Sequence, residues 1–273
     1  RIPMRLRAAT HLSITLGLAL LAGGCDSIVG PRNGRPREIT QLPRALTAAE
    51  NAALQASNAF GLDLLRRLHR DRPDSSVFLS PLSASMALGM TLNGAAGETW
   101  TGMREALRFA ELDQDGINTA YRGLIDLLRG LDPAVTFDIA NSIWHREGMV
   151  ALPSFVDAAS SAFDAEVRGL DFAGPTAPAI INGWVRDRTR GRIQEIVPSP
   201  IPAGIAAYLL NAIYFKGDWA NRFDPEATHA GPFHLADGRT VTVRFMDRTG
   251  EALYRVTERY EAVDLPYGGK AFA

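Results

Sequence analysis

Apolar and polar positions follow two rhythms along the chain, and the change from one to the other falls near residue 135. Before it the period is helical. Thr47 stands where a cap belongs, with Glu50 three residues later, and Leu54, Phe60, Leu64, Leu65 and Leu68 follow at approximately helical spacing. The polar turn HRDRPDSS closes that helix, and VFLS, residues 77–80, reads as a short strand. SPLSASMALGMTLNGA predicts a second helix, capped by Ser80 and with Pro81 in the first position, where a missing N–H does no harm. Its side chains are small: Ser83, Ala84, Ser85, Ala87 and Gly89 suit close packing beneath another element. A third helix opens at Gly97-Glu98-Thr99 and runs through Leu107, and a fourth spans about 115–130.

Beyond that point the period is two. VTFDIANSIWHRE, residues 135–147, alternates as a strand should, and an apolar helix over about 153–163 and the short strand AEVRGLDF follow it. INGWVRDRTRGRIQEIV is helical from Ile181 to Gly191, after which Pro198, Pro200 and Pro202 impose a loop. In LLNAIYFKGDW, residues 209–219, Leu209, Asn211, Ile213 and Phe215 share one face while Leu210, Ala212 and Tyr214 share the other. Both faces are apolar, which predicts a central strand covered on both sides. GPFHLADGRTVTVRFM carries an Asp237-Gly238 hairpin signal, and ALYRV and EAVDLPY are further short strands. Helices first and strands later define an α+β fold with mostly antiparallel sheets.

Asn211 is the polar exception in that apolar run. A buried amide without partners costs about 1–3 kcal/mol, so an element beneath the sheet must supply them. The first turn of the small-sided helix offers the hydroxyls of Ser80 and Ser83.

Composition narrows the field. The 273 residues are 46% hydrophobic, enough for one sizeable core, and the net charge of −1 recommends neither nucleic acid nor a membrane surface as a partner. The single cysteine, Cys25, rules out an internal disulfide and a Cys-rich metal site. Arg5 and Arg7, the apolar stretch Leu12–Leu21 and small residues before Cys25 read as an export signal over residues 1–25, with Met4 as the start of translation. LAGGC resembles a bacterial lipobox, which implies a lipid on Cys25 and an extracellular or membrane-anchored protein. Residues 26–46, including the Pro-, Arg- and Gly-rich PRNGRPREITQLP, read as a flexible, solvated linker.

The blocks now assemble into a resemblance. LLNAIYFKGDWANRFDPEAT is similar to the third strand of the main sheet in serpins, together with the turn that leaves it. NAFGLDLLRRL and SSVFLSPLSASMALGMTLNGAAGETWTGMREAL resemble the first three serpin helices in order, and IANSIWHREG resembles the second main-sheet strand. IINGWVRDRTRGRIQEIVP resembles the helix that crosses that sheet, and GPFHLADGRTVTVRFM and AVDLPYGG resemble the small strands that come next. The resemblance covers about residues 50–270 and implies a serpin-like fold over residues 47–273, with helices packed around large sheets.

It also implies a mechanism and its residues. Ser80, Ser83 and Asn211 would form the shutter under the middle of the sheet, and Trp219 would mark the breach where a reactive loop first enters it. Asn141 and Asn182 match the asparagines of the second strand and the crossing helix, as supports of sheet and helix. The implied partner is a serine or cysteine protease, trapped when its cleaved substrate loop inserts into the sheet; the alternative is a non-inhibitory binding protein of the same fold. The sequence through Ala273 reads as truncated before the fifth strand, its shutter histidine and the reactive loop.

Rival chemistry is weakly marked. No Ser-x-x-Lys, Gly-x-Ser-x-Gly, His-Glu-x-x-His or phosphate-cradling glycine loop is present, so neither an enzyme nor a cofactor is expected. His229 and His234 are five apart and face opposite sides of an extended segment, which suits surface histidines rather than a metal pair. LDQDG, residues 112–116, lacks the later ligands of a calcium loop. Arg186, Arg188, Arg190 and Arg192 are the densest basic cluster, but they diverge around a helix end, and Arg122 and Arg129 alone on the fourth helix do not recommend a glycosaminoglycan.

Overall fold

The computed structural model describes residues 36–109 and 111–273. The expected export signal, Cys25 and the first part of the expected linker lie outside the described residues. Six helices precede or interleave with the first three strands: α1 (Ala48–Asp71), α2 (Pro81–Leu92), α3 (Gly97–Ala106), α4 (Gln114–Leu128), β1 (Val135–Arg146), α5 (Pro153–Phe163), β2 (Ala165–Leu170), α6 (Ala177–Arg188) and β3 (Ala207–Gly217). Two hairpins follow, β4 (His229–His234) with β5 (Thr240–Phe245) and β6 (Tyr254–Val256) with β7 (Glu261–Val263).

The main sheet has the order β2-β1-β3, with β1 parallel to β2 and antiparallel to β3. Its two faces are covered by different layers. Ile139, Ile143, Leu209 and Ile213 pack on Met86, Met90, Ile117, Tyr121 and Phe163 of the helices beneath. Trp144, Tyr208 and Leu210 pack on Ile181 and Val185 of α6, which lies across the opposite face. The period-two pattern of β1 and β3 is the cause of both layers, because alternate side chains leave a strand on opposite faces. β3 is an edge strand among the described residues rather than the central one, and β1 takes that place. An apolar pattern on both faces reports what lies above and below a strand, and carries no information about its lateral neighbours.

Close packing around α2 shows at two glycines, one on α1 and one on α2 itself. A Cβ at Gly61 of α1 would lie 2.6 Å from Pro81, and one at Gly89 would lie 2.9 Å from the Tyr121 ring. Helices α1 and α4 can therefore close on α2 only where these glycines stand. VFLS belongs to no ladder, and Phe78 is fully exposed. A short apolar run becomes a strand only with a neighbour to pair, and the described residues supply none.

The linker reading also needs correction between residues 36 and 46. This segment is mostly exposed but tied down at several points. The Ile39 amide donates to the Gly269 carbonyl at 2.7 Å, and Lys270 pairs with Glu38 at 3.1 Å. Arg44 donates to both oxygens of Glu50, at 2.5 and 2.7 Å, and to the Gly123 carbonyl of α4. Glu50 is buried and closes the capping box of α1 by accepting from the Thr47 amide. Polar, charged composition marked the segment as solvated; it did not reveal that one of its arginines neutralises a buried carboxylate.

The hydrogen bonds from Arg44, together with those from Thr47, hold the Glu50 carboxyl at about 2, well below its ordinary 4.5, against the opposing effect of burial. The stabilisation is therefore complete above the ordinary value and is lost as the pH falls from about 4.5 towards 2. Glu50→Gln should cost about 1–3 kcal/mol at neutral pH. Its unfolding free energy should fall less steeply than that of the parent chain below pH 4.5, and parallel slopes in urea titrations would refute the pairing.

Candidate functional site

The middle of the sheet is built on a direct cross-strand pair. The register places Ile139 opposite Ile213, Asn141 opposite Asn211 and Ile143 opposite Leu209, so two asparagines face each other between apolar pairs. Asn211 Nδ2 donates to Asn141 Oδ1 at 2.8 Å, and Asn141 Nδ2 donates to the Phe163 carbonyl at the end of α5 at 2.7 Å. The Met86 sulfur of α2 lies 3.8 Å from Asn211 Nδ2 as a weak acceptor. Asn211 Oδ1 is buried and has no partner among the described residues.

Ser80 and Ser83 do not hold Asn211. Ser80 is exposed, and its hydroxyl is the N-cap of α2, accepting from the Ser83 amide at 3.2 Å. The Asn211 amide finds a carboxamide of the same sheet, directly opposite, before it can reach the helix tip. The buried hydroxyls of α2 lie one turn further on. Ser85 is within 3.1 Å of the Ser57 hydroxyl of α1 and donates to Leu82. Tyr121 beside them has a fully buried hydroxyl without a partner among the described residues, and burial pushes its phenol up. The Asn141–Asn211 contact had a readable signal: IAN-S-I and LLN-A-I present the same apolar–Asn–apolar face, which pairs in an antiparallel register.

The other sequence-marked residues lie apart from this pair. Asn182 clamps the loop after α6, accepting from the amides of Ile196 and Val197 at 2.8 and 3.0 Å and donating to the Val197 carbonyl at 3.0 Å. Trp219 stands beyond the end of β3, where it bridges to Tyr267 and stacks on its ring with centroids 4.2 Å apart. The neighbouring backbone is held by Ala220 donating to Pro266 and Gly268 donating to Asp218, both at 2.8 Å. This turn also brings Tyr267 and Phe272 against Phe215.

Several of the basic residues are individually paired. Arg122 pairs with Asp126, Arg129 with Asp164 at 2.7 Å, and Arg190 with Asp138 at 2.8 Å, while Arg188 lies over the Trp184 ring. His229 lies 3.2 Å from Asp247 and His234 3.0 Å from the Thr240 hydroxyl. Among the described residues no group of three or more His, Cys, Asp or Glu side chains is placed to hold a metal, and no helix is long and apolar enough to cross a membrane.

A two-faced sheet crossed by one helix, with a second helical layer beneath and an aromatic turn at the end of β3, defines a class of protein already suggested by the sequence. The family model described as "Serpin (serine protease inhibitor)" matches residues 55–273, and the chain belongs to the serpin family. It is 35% identical over 229 residues to Iripin-2 of Ixodes ricinus, covering 81% of this chain and 57% of that protein. It is 32% identical over 220 residues to the leukocyte elastase inhibitor of Sus scrofa, covering 79% of this chain and 58% of that protein. Among solved structures, cleaved Serpin 42Da superposes with a TM-score of 0.74 at 28% identity, covering 81% of this chain and 60% of that one. Reactive-loop-cleaved human thyroxine-binding globulin superposes with a TM-score of 0.75 at 26% identity, covering 83% and 68%. The chain thus spans less than two thirds of the length of its matched relatives Iripin-2 and leukocyte elastase inhibitor. These relatives are animal proteins, and the bacterial type expected from the leader finds no support among them.

Proposed function

We propose that the complete protein inhibits serine or cysteine endopeptidases, taking its own cleaved reactive loop into the main sheet beside β3. Family membership supports this reading, and the geometry of β3 is compatible with it. The outer edge of β3 is unpaired among the described residues, and beside it Asn211 presents a buried Oδ1 without a donor. A strand laid on that edge gains a ladder of main-chain hydrogen bonds, and a polar side chain from it could satisfy Asn211. Asn141 fixes the Asn211 carboxamide from the other side, so that its amide is used and its oxygen remains available. The protein is the substrate of the protease and does no chemistry itself. Export by the leader, with Cys25 as a lipid anchor, belongs to the same reading and would place the inhibitor at the cell surface.

The test is incubation of the full-length gene product with trypsin-, elastase- and papain-like proteases. The expected result is an SDS-stable conjugate with at least one, and a rise in thermal stability after loop cleavage. No conjugate with any of the three and no such rise would replace inhibition by a non-inhibitory binding role.

A further inference from the structure

Residues 36–46 lie ahead of the stretch 55–273 matched by the family model, yet they are bonded to the far end of the described chain. The receiving element is the turn at residues 267–270, closed by the Lys270 amide donating to the Tyr267 carbonyl at 2.7 Å. Close packing requires its two glycines. Gly268 has φ +50°, and a Cβ there would lie 2.8 Å from Val135 and 2.9 Å from Asp132. A Cβ at Gly269 would lie 2.5 Å from the Arg37 carbonyl. The Gly269 backbone is gripped on both sides: its N–H donates to the Asp132 carboxylate at 2.7 Å, and its C=O accepts from the Ile39 amide at 2.7 Å.

The two grips differ in strength. Asp132 is buried, and its carboxylate oxygens accept from the amides of Ala134 and Gly269. Releasing Gly269 would leave a buried carboxylate oxygen without that donor, so this side holds firmly. The other side is lighter: Ile39 is half-buried, and the exposed Glu38–Lys270 pair contributes little. Between Ile39 and its second anchor, where Arg44 meets Glu50 and Gly123, the segment spans a cavity of about 440 Å³ lined by Leu127 and Leu131. A short segment fastened at its ends over a void is built to let go as a unit. What the turn carries is the Trp219 end of the main sheet. Tyr267 stacks on Trp219, Gly268 donates to the Asp218 carbonyl, and Pro266 accepts from Ala220. Phe272 stacks on Phe137 of β1 with ring centroids 5.3 Å apart.

We propose that residues 37–44 form a releasable strap which, by holding the turn at residues 267–270, restrains opening of the main sheet at its Trp219 end. The use of this restraint in loop uptake rests on the function proposed above; the restraint itself does not. The coupling is reciprocal: loosening the strap frees the turn, and displacing the turn frees the strap.

Both directions are measurable in the 273-residue chain. Ile39→Pro removes the donated N–H and leaves Arg44 and Glu50 in place. Amide exchange at Gly268 and Ala220 should then rise about fivefold, with exchange at the middle of β1 and β3 and the urea midpoint unchanged. In the other direction, Gly269→Ala pushes on the Arg37 carbonyl. It should speed trypsin cleavage after Arg44 by about fivefold, read from the fragment that begins at Ala45. Unchanged exchange at Gly268 and Ala220 in Ile39→Pro, an equal rise throughout the sheet, or cleavage of Gly269→Ala at the parent rate would each overturn the strap. None of these readouts depends on conjugate formation, so a failure of the strap and a failure of protease trapping are told apart.

Discussion

Trp144→Ala should destabilise the chain by about 3–5 kcal/mol, a larger loss than is expected at either asparagine of the sheet. The indole is almost wholly buried between β1 and α6, packed edge-to-face on Trp184 with ring centroids 6.2 Å apart. Its N–H donates to the Ser142 hydroxyl at 2.8 Å, so truncation leaves a cavity and also strands a fully buried hydroxyl. Both losses fall on the same interface. α6 reaches the sheet through Ile181 and Val185 around this ring, and Asn182 holds only the loop that follows. The expected result in urea unfolding is therefore accompanied by faster amide exchange throughout Ala177–Arg188. Trp144→Phe, which keeps an aromatic ring but removes the donor, should fall between the parent and the alanine variant. A loss below about 1 kcal/mol for Trp144→Ala would mean that the crossing helix is held by other contacts.

The second large effect is an ordering. Asn141→Ala should cost about 2–4 kcal/mol, and Asn211→Ala should cost less, by about 1–2 kcal/mol. Removing Asn141 leaves the Phe163 carbonyl and the Asn211 amide without their partners at the same time. Removing Asn211 takes away an oxygen that had no partner to begin with, and frees only Asn141 Oδ1. Paired urea titrations of the two variants decide the matter. The reverse ordering would require Asn211 to have a stronger partner than the one seen, and would return Ser80 and Ser83 to the role the sequence suggested.

That contrast shows where the sequence was informative. Faces were legible: Leu209 and Ile213 lie towards the helices and Leu210 towards α6, as period-two alternation requires. Caps were legible too, because Thr47 with Glu50, and Ser80 with Pro81, act over three or four residues. Lateral order was not. VFLS and LLNAIYF are both apolar, yet one pairs with nothing among the described residues and the other forms an edge, since pairing depends on residues remote in the chain. The choice of hydrogen-bond partner for Asn211 was hidden for the same reason. Composition recommends every nearby hydroxyl equally, whereas the register decides which group stands opposite.

The tie between Ile39 and Gly269 bears on how the molecule is made. The partner of Ile39 emerges from the ribosome only after nearly all of the described chain, whereas Arg44 can reach Glu50 and Gly123 as soon as α1 and α4 are made. The helices can nucleate early from local contacts, while the seam between Glu38–Ile39 and Gly269–Lys270 closes after them.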